Sequence, residues 1–274
     1  MNRETKRKLR RSDGRRYSSR ILKAGALLDE TKILLGSWNS SLSIRENLEN
    51  FLRCNILGKQ SRSRSGDILD EFRQRYLVEE DVTRALVALV GAGYPSASLD
   101  RILYFHTAMS DHLIHDFVID MLWPRYRRGV VNVNSGDVAA WIREKISAGQ
   151  MVSGWSDTTI ERGASGLLAA ARDFGVLSGS REKRICGVYL PTDAFAYIAF
   201  YLSRMWPSGR RLLDSREWLL FFMEGDAVER HFMEAHQQHL LNYQAAGSVV
   251  RISFPAQTME EYAHVILERA HRDA

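Results

Sequence analysis

Apolar residues return at helical spacing through most of this chain, most regularly over residues 157–174. There Ile160, Ala164, Leu167, Leu168, Ala171 and Phe174 fall at i, i+4, i+7, i+8, i+11 and i+14, the buried stripe of an amphipathic helix. Ser156 just ahead suits an N-cap, because its hydroxyl can accept from an orphan backbone N–H, and Gly175 just behind suits a C-cap. Thr158, Arg162, Ser165, Ala169 and Arg172 repeat the spacing on another face, with small, hydroxylated or cationic side chains. Residues 137–146 offer Val138, Trp141, Ile142 and Ile146 as the apolar side of a supporting helix. After the main helix, β-favouring residues flank a turn that carries Arg181, Lys183 and Arg184. Helix, turn, amphipathic helix and basic hairpin over 135–191 is the plan of a winged helix, whose second helix enters a major groove while its wing lies along the phosphates. The joint 147–155 is longer than the usual turn of about three or four residues, a departure from the plain helix-turn-helix. The plainer alternative is a winged domain used for protein contact.

Elsewhere the pattern is also helical. Periodicity dominates from residue 18 to about 126, and Ser43 with Glu46 makes a capping box for a helix to Asn55 with Ile44, Leu48, Phe51 and Leu52 as its apolar face. Residues 57–66 read as a polar connection carrying Lys59, Arg62 and Arg64, phosphate donors or simply a solvated loop. Helices are predicted at 67–77, 80–90 and 99–123, the last stopped by Pro124. Residues 124–135, with Arg125, Arg127 and Arg128, read as a boundary. Beyond Pro191 come predicted helices at 215–223 and 226–243, a strand at 248–254 with Gly247 between helix and strand, and a closing helix at 257–269. The fold class is therefore mainly α: a helical bundle (17–130), a winged-helix-like unit with a small β-hairpin (131–191), and a C-terminal helical region with a short strand (192–274). That last region also admits reading as a degenerate second winged unit.

Charge changes this picture at one end only. The 274 residues carry a formal +5, yet residues 1–20 alone hold +7 and everything after them sums to −2. The excess is a basic arm (1–16), including Arg10 and Arg11, on a nearly neutral body. Such an arm tracks phosphates by counterion release without reading sequence, or serves as a solvated tail or a targeting segment. No apolar h-region follows it, which argues against a secretory signal. The most apolar run, 194–202, is far short of the ~20 residues a membrane helix needs. Cys54 and Cys186 are too far apart for a metal-ligand spacing and read as packing residues in a reducing cytoplasm.

Catalytic signatures are missing. The chain has no G-x-x-x-x-G-K-[ST] loop, no G-x-G-x-x-G turn, no H-E-x-x-H helix, no C-x-x-C pair and no G-x-S-x-G elbow. His271, Arg272 and Asp273 spell a kinase catalytic loop without the glycine-rich loop that it needs. His112, His115 and Asp116 share a helix face, with His106 earlier, but a metal phosphohydrolase draws ligands from other helices too, and Asp120 and Asp137 carry no supporting pattern. His231, His236 and His239 read as structural. The expectation is no catalytic residue, no metal and no cofactor.

The order of segments resembles the BrxA proteins of bacteriophage-exclusion (BREX) defence systems over most of residues 17–255. The resemblance is carried by YSSRILKAGALLDETKILL, CNILGKQSRSRSGDILDEFRQRYL, HDFVIDMLW (115–123), GWSDTTIERGASGLLAAARDFGVL (154–177) and YQAAGSVVRISFP (243–255). It implies a small, non-catalytic, mainly helical cytoplasmic protein working beside a methyltransferase, a large ATPase and a phosphatase-like protein in phage restriction. It also implies a likeness to helical nucleic-acid binders such as the NusB-like RNA-binding fold. No site residues come with it.

The residues themselves therefore supply the expected site. Thr158, Thr159, Arg162, Ser165 and Arg172 are expected to face duplex DNA, Arg181, Lys183 and Arg184 to form a wing contact, and Lys59, Arg62, Arg64, Arg10 and Arg11 to add phosphate affinity. The alternatives are a protein-interaction scaffold in the defence complex and a NusB-like RNA binder.

Overall fold

In the computed structural model, which describes residues 17, 24–150, 155–247 and 249–270, helix makes up 64% and the strands form only small antiparallel sheets. The mainly α reading holds. In chain order the elements are α1 (Leu28–Gly36), α2 (Ile44–Arg53), α3 (Arg62–Tyr76), α4 (Glu80–Gly91), α5 (Ser96–Ser110), α6 (His112–Asp116), a π-helical turn (Phe117–Leu122) and α7 (Trp123–Arg127). Then come β1 (Asn132–Val133), α8 (Ser135–Ser147), α9 (Asp157–Asp173), β2 (Leu177–Ser178), β3 (Lys183–Ile185), α10 (Thr192–Ser203) and α11 (Gly209–Leu213). A 3-10 turn (Arg216–Phe221), α12 (Asp226–Gln237), β4 (Asn242–Ala246), β5 (Val249–Ser253) and α13 (Met259–Ala270) complete the described chain.

The chain divides into two compact units: unit 1 holds Met1–Ala26, Tyr104–Tyr189 and Leu219–Phe222, and unit 2 holds Leu27–Leu103, Leu190–Trp218 and Met223–Ala274. In unit 1 the core gathers around Tyr104. Its ring lies 5.1 Å from Phe174 and 5.5 Å, edge-on, from Phe221, and its hydroxyl donates to the Leu220 carbonyl at 3.1 Å. Burying that hydroxyl without a partner would cost more than the bond returns, so the pairing fixes where 219–222 must lie. Tyr17 is 2% exposed; its phenol donates to Asp116 at 2.6 Å, its N–H to the Gln150 carbonyl at 2.6 Å, and its ring sits 6.4 Å from Trp141.

Unit 2 explains the most apolar run of the sequence. Ala194 through Leu202 of α10 are all buried, so the helix is apolar on every side because it is surrounded by protein. Phe195 stacks on Trp218 at 4.6 Å and meets Phe232 edge-on at 4.8 Å. Among the described residues no helix is long and apolar enough to cross a membrane. α13 packs on α4, and Asp81 of α4 accepts from the Met259 and Glu260 N–H groups at 3.0 and 3.3 Å, while Thr258 Oγ1 of the segment itself takes the Glu261 N–H at 3.1 Å.

Several boundaries differ from the periodicity. Residues 99–123 are not one helix: Asp111 breaks the run and its carboxylate caps α6 through Leu113 N–H at 2.9 Å, and the chain then continues through the π-turn. Pro124 does not stop it, because it sits in the first turn of α7, where a missing N–H costs nothing. The polar connection is shorter than expected, since Ser61 accepts from Arg64 N–H at 3.3 Å and starts α3 at Arg62. Where a helix is expected at 215–223 the chain forms the 3-10 turn Arg216–Phe221, and α12 ends at Gln237, followed by a left-handed His239 (φ 56°). The expected single C-terminal strand is a hairpin, with Gly247 (φ 60°) in its turn between β4 and β5. Cys54 is exposed, so it is not a packing residue; Cys186 is half-buried.

Candidate nucleic-acid interface

The helix that opened the sequence reading forms as its residues dictate. Ser156 accepts from Thr159 N–H at 3.3 Å to start α9. At the other end Gly175, at φ 70°, lets its own N–H reach the Arg172 carbonyl and that of Val176 reach the Ala171 carbonyl, both at 2.8 Å, the paired bonds of a Schellman stop. Ile160, Ala164, Leu167, Leu168, Ala171 and Phe174 are all buried. With that stripe committed to the core, Thr158, Arg162, Ser165 and Arg172 are left exposed. α8 packs against α9 and begins two residues earlier than its apolar pattern, because Asn134 and Asp137 exchange a capping box at 3.0 and 3.1 Å.

The segment read as a boundary supplies the third strand of the sheet. β1 pairs antiparallel with β3, and β3 with β2, giving the order β1-β3-β2. Asn132 and Ser178 both lie opposite Arg184 in register, and all three are exposed. They form one polar row across the sheet with the guanidinium in the middle. Val133, Leu177 and Ile185 are buried.

The wing cations are thus divided among three places. Arg181 is exposed in the turn, Arg184 stands on the outer sheet face, and Lys183 is half-buried with its ammonium donating to the Gly179 and Ser180 carbonyls at 2.7 and 2.6 Å. Lys183 therefore clamps the turn from which Arg181 projects. On α9, Thr159 is half-buried with its hydroxyl 2.9 Å from that of Ser156, which ties it to the cap. Arg172 meets Asp173 at 2.6 Å, and Asp157 meets Arg143 at 3.2 Å. Among the described residues Arg162 and Arg184 are in no such pair, and exposed Glu161 offsets part of their charge.

Lys59, Arg62 and Arg64 belong to unit 2. Lys59 is bound to Glu30 at 2.9 Å; burial alone pushes the Glu30 carboxyl up, but the Lys59 hydrogen bond and charge outweigh it and hold the carboxyl below its ordinary value. Arg62 is exposed and Arg64 half-buried at the start of α3. Arg10 and Arg11 lie outside the described residues. Of the boundary cluster, Arg125 pairs with Asp137 at 3.0 Å, Arg127 lies 5.8 Å from the Trp123 ring centre, and Arg128 donates to the Pro124 carbonyl at 3.0 Å.

The sequence reading missed Asn132 and Ser178. The alternation V-N-V-N over 131–134 was the available signal for Asn132. His115 faces Asp116 at 2.7 Å, and among the described residues no group of three or more His, Cys, Asp or Glu is placed to hold a metal ion.

A crystal structure of an uncharacterized protein from Magnetospirillum magneticum has a similar fold, with a TM-score of 0.57 at 16% identity, covering 69% of this chain and 95% of that one. At that identity the likeness is one of fold alone. No curated protein matches the chain. The model of the BrxA family matches residues 15–201.

Proposed function

From the match over residues 15–201 the chain belongs to the BrxA family, a BREX-associated protein, and on that premise we propose that it is a non-catalytic component that binds double-stranded DNA. The observation that carries the reading is the order β1, α8, α9, β2, β3 with sheet order β1-β3-β2 and α9 turned so that Thr158, Arg162, Ser165 and Arg172 are exposed. That is the winged-helix plan, with α9 in the position of the helix that enters a major groove and the 179–182 turn in that of the wing. Thr158 and Ser165 leave room for a groove wall and offer hydroxyls; Arg162 supplies the fork suited to a phosphate or a guanine edge. Arg184, flanked by Asn132 and Ser178, and Arg181 at the turn have the chemistry of a phosphate contact.

The charge balance argues for positioning over stringent sequence readout. With Arg172 and Asp157 in ion pairs and Glu161 exposed, α9 brings little net charge of its own, so affinity rests on Arg162, Arg181, Arg184 and the basic arm. In the defence system the methyltransferase, the ATPase and the phosphatase-like protein would then act on DNA that this subunit holds. A protein-docking reading has its own support in Tyr189 and Val130 of unit 1, which are 75% and 44% exposed.

A salt-titrated series with duplex DNA, single-stranded DNA and RNA separates these readings. Duplex binding that weakens steeply with salt, with the slope reduced by about 2 in the Arg162→Ala, Arg184→Ala double variant, is the expected result. Binding to none of the three nucleic acids, with co-elution of another defence component, would leave the docking reading. Preference for RNA hairpins would select the RNA alternative.

A further inference from the structure

Between Thr192 and Ser253 the chain again runs from helices into an antiparallel hairpin, here a sheet of two strands where unit 1 has three. A buried helix (α10), a short helix (α11), a third helix (α12) and an antiparallel hairpin (β4, β5) follow one another, with α10 against α11 and α12, α12 against β4, and α11 against β5. The hairpin is seated with unusual closeness. A Cβ on Gly209 would lie 2.4 Å from the Val250 carbonyl oxygen, so only glycine lets α11 rest on β5. On the same inner side Tyr243 is buried and donates its phenol to Glu229 of α12.

The outer side carries a different set. Asn242 lies opposite Ser253 and Gln244 opposite Arg251. Period-two alternation puts these four on one face, all exposed, around an open cleft of about 350 Å³ that they alone line. The set contains no carboxylate, and its one charge is a guanidinium. Two of these four positions lie on each strand, and the next outward pair toward the turn is Ala246 with Val249, so no acid stands beside the guanidinium on this face. Amides, a hydroxyl and an arginine are the side chains with which proteins hold backbone phosphates, and cross-strand pairs spaced two residues along a strand, roughly 7 Å, give two contact points in a row. At the turn beyond them, Val249 is 68% exposed, an aliphatic tip suited to a groove wall.

We propose that the outer face of β4 and β5 is a second duplex-DNA contact, with Arg251, Gln244, Asn242 and Ser253 on backbone phosphates and Val249 against the deoxyribose edge of the adjacent groove. It rests on the reading that unit 1 binds duplex DNA, and makes the chain a two-point binder.

The test uses the full chain and a long duplex, measuring affinity against salt for the wild type, an Arg251→Ala, Gln244→Ala variant, Val249→Ser, and the unit 1 variant Arg162→Ala, Arg184→Ala. Because these hairpin residues are exposed, thermal unfolding of their variants should match the wild type. The hairpin double variant is expected to lower the salt slope by about 1 and affinity by roughly tenfold, with Arg251→Lys retaining the slope. Val249→Ser is expected to weaken binding while leaving the slope unchanged, since it removes no charge contact. If the unit 1 variant lowers the slope and the hairpin variant does not, the second contact is overturned and the unit 1 reading stands. If the wild type ignores duplex DNA, both fall.

Discussion

Replacing Gly179 by alanine tests the wing at the point where its geometry is least forgiving. Gly179 opens the turn between β2 and β3 at φ 88°, and a Cβ built there would lie 2.0 Å from the Glu182 carbonyl oxygen, which is backbone and has nowhere flexible to go. Real Cβ contacts essentially never fall under 3.0 Å, so the two sides of the turn must separate by about 1 Å. The backbone strain of an L-residue at that φ adds roughly 1–2 kcal/mol. The turn has an escape, which is to open: it then gives up the two Lys183 hydrogen bonds and part of a short ladder, each bond worth about 1 kcal/mol net. Together these set an expected loss of roughly 2–4 kcal/mol, a fall in Tm on the order of 5–10 °C for a chain of this size. Gly149→Ala is the matched control, with φ 72° but nothing within 4 Å of its Cβ, so that it carries the strain alone. In a mobility-shift titration, Gly179→Ala should also lower the salt slope by about 2, because opening the turn displaces Arg181 and Arg184 together, whereas Gly149→Ala should not. A wild-type Tm for Gly179→Ala would refute the packing argument. A lowered Tm with an unchanged slope would show that the wing makes no phosphate contact.

Three other outcomes follow from the same geometry. Leu167→Ala, at a position with no exposure, should cost about 2–5 kcal/mol in denaturant unfolding and lower DNA binding only in proportion to the unfolded fraction. Ser43→Ala removes the hydroxyl that accepts from Glu46 N–H at 3.3 Å and donates to the Glu46 carboxylate at 2.6 Å, and should destabilise by about 1 kcal/mol; the Glu46 carboxyl, held below its ordinary value chiefly by that hydroxyl, should titrate higher by NMR in that variant. Burial, with the Glu229 carboxylate beside it, pushes the Tyr243 phenol up to about 12. A raised folded value means its stabilisation is intact below the ordinary phenol value near 10 and is lost as pH rises through about 12. Circular dichroism from pH 9 upward should show the loss, and Tyr243→Phe should abolish that component.

What the sequence made legible followed from how locally each feature is determined. α9 was readable to within a residue because its stripe, its cap and its terminal glycine all lie inside one segment. The capping box at Ser43 was readable for the same reason. β1 was not, because a two-residue strand exists only through its partner β3, which lies far along the chain. Nor was the end of α12: residues 238–243 continue the helical alphabet, and the left-handed turn at His239 and pairing with β5 decide otherwise. At the candidate interface the exposure of Thr158, Arg162, Ser165 and Arg172 was legible from periodicity. The engagement of Lys183, Thr159 and Arg172 with neighbouring groups was not, because charge counted along a sequence does not reveal which charges are already satisfied.

The bond from Tyr104 to Leu220 has a consequence for how such a protein is made and inherited. During synthesis the ribosome must release Phe221 before the floor beneath α9 can close, so the half that carries α9 waits for a segment encoded well downstream of its wing. A gene fragment ending at Pro191 would encode every residue of α9 and the wing and still lack the ring against which Tyr104 closes. A transplanted module rebuilds this part of its core only when both stretches travel together.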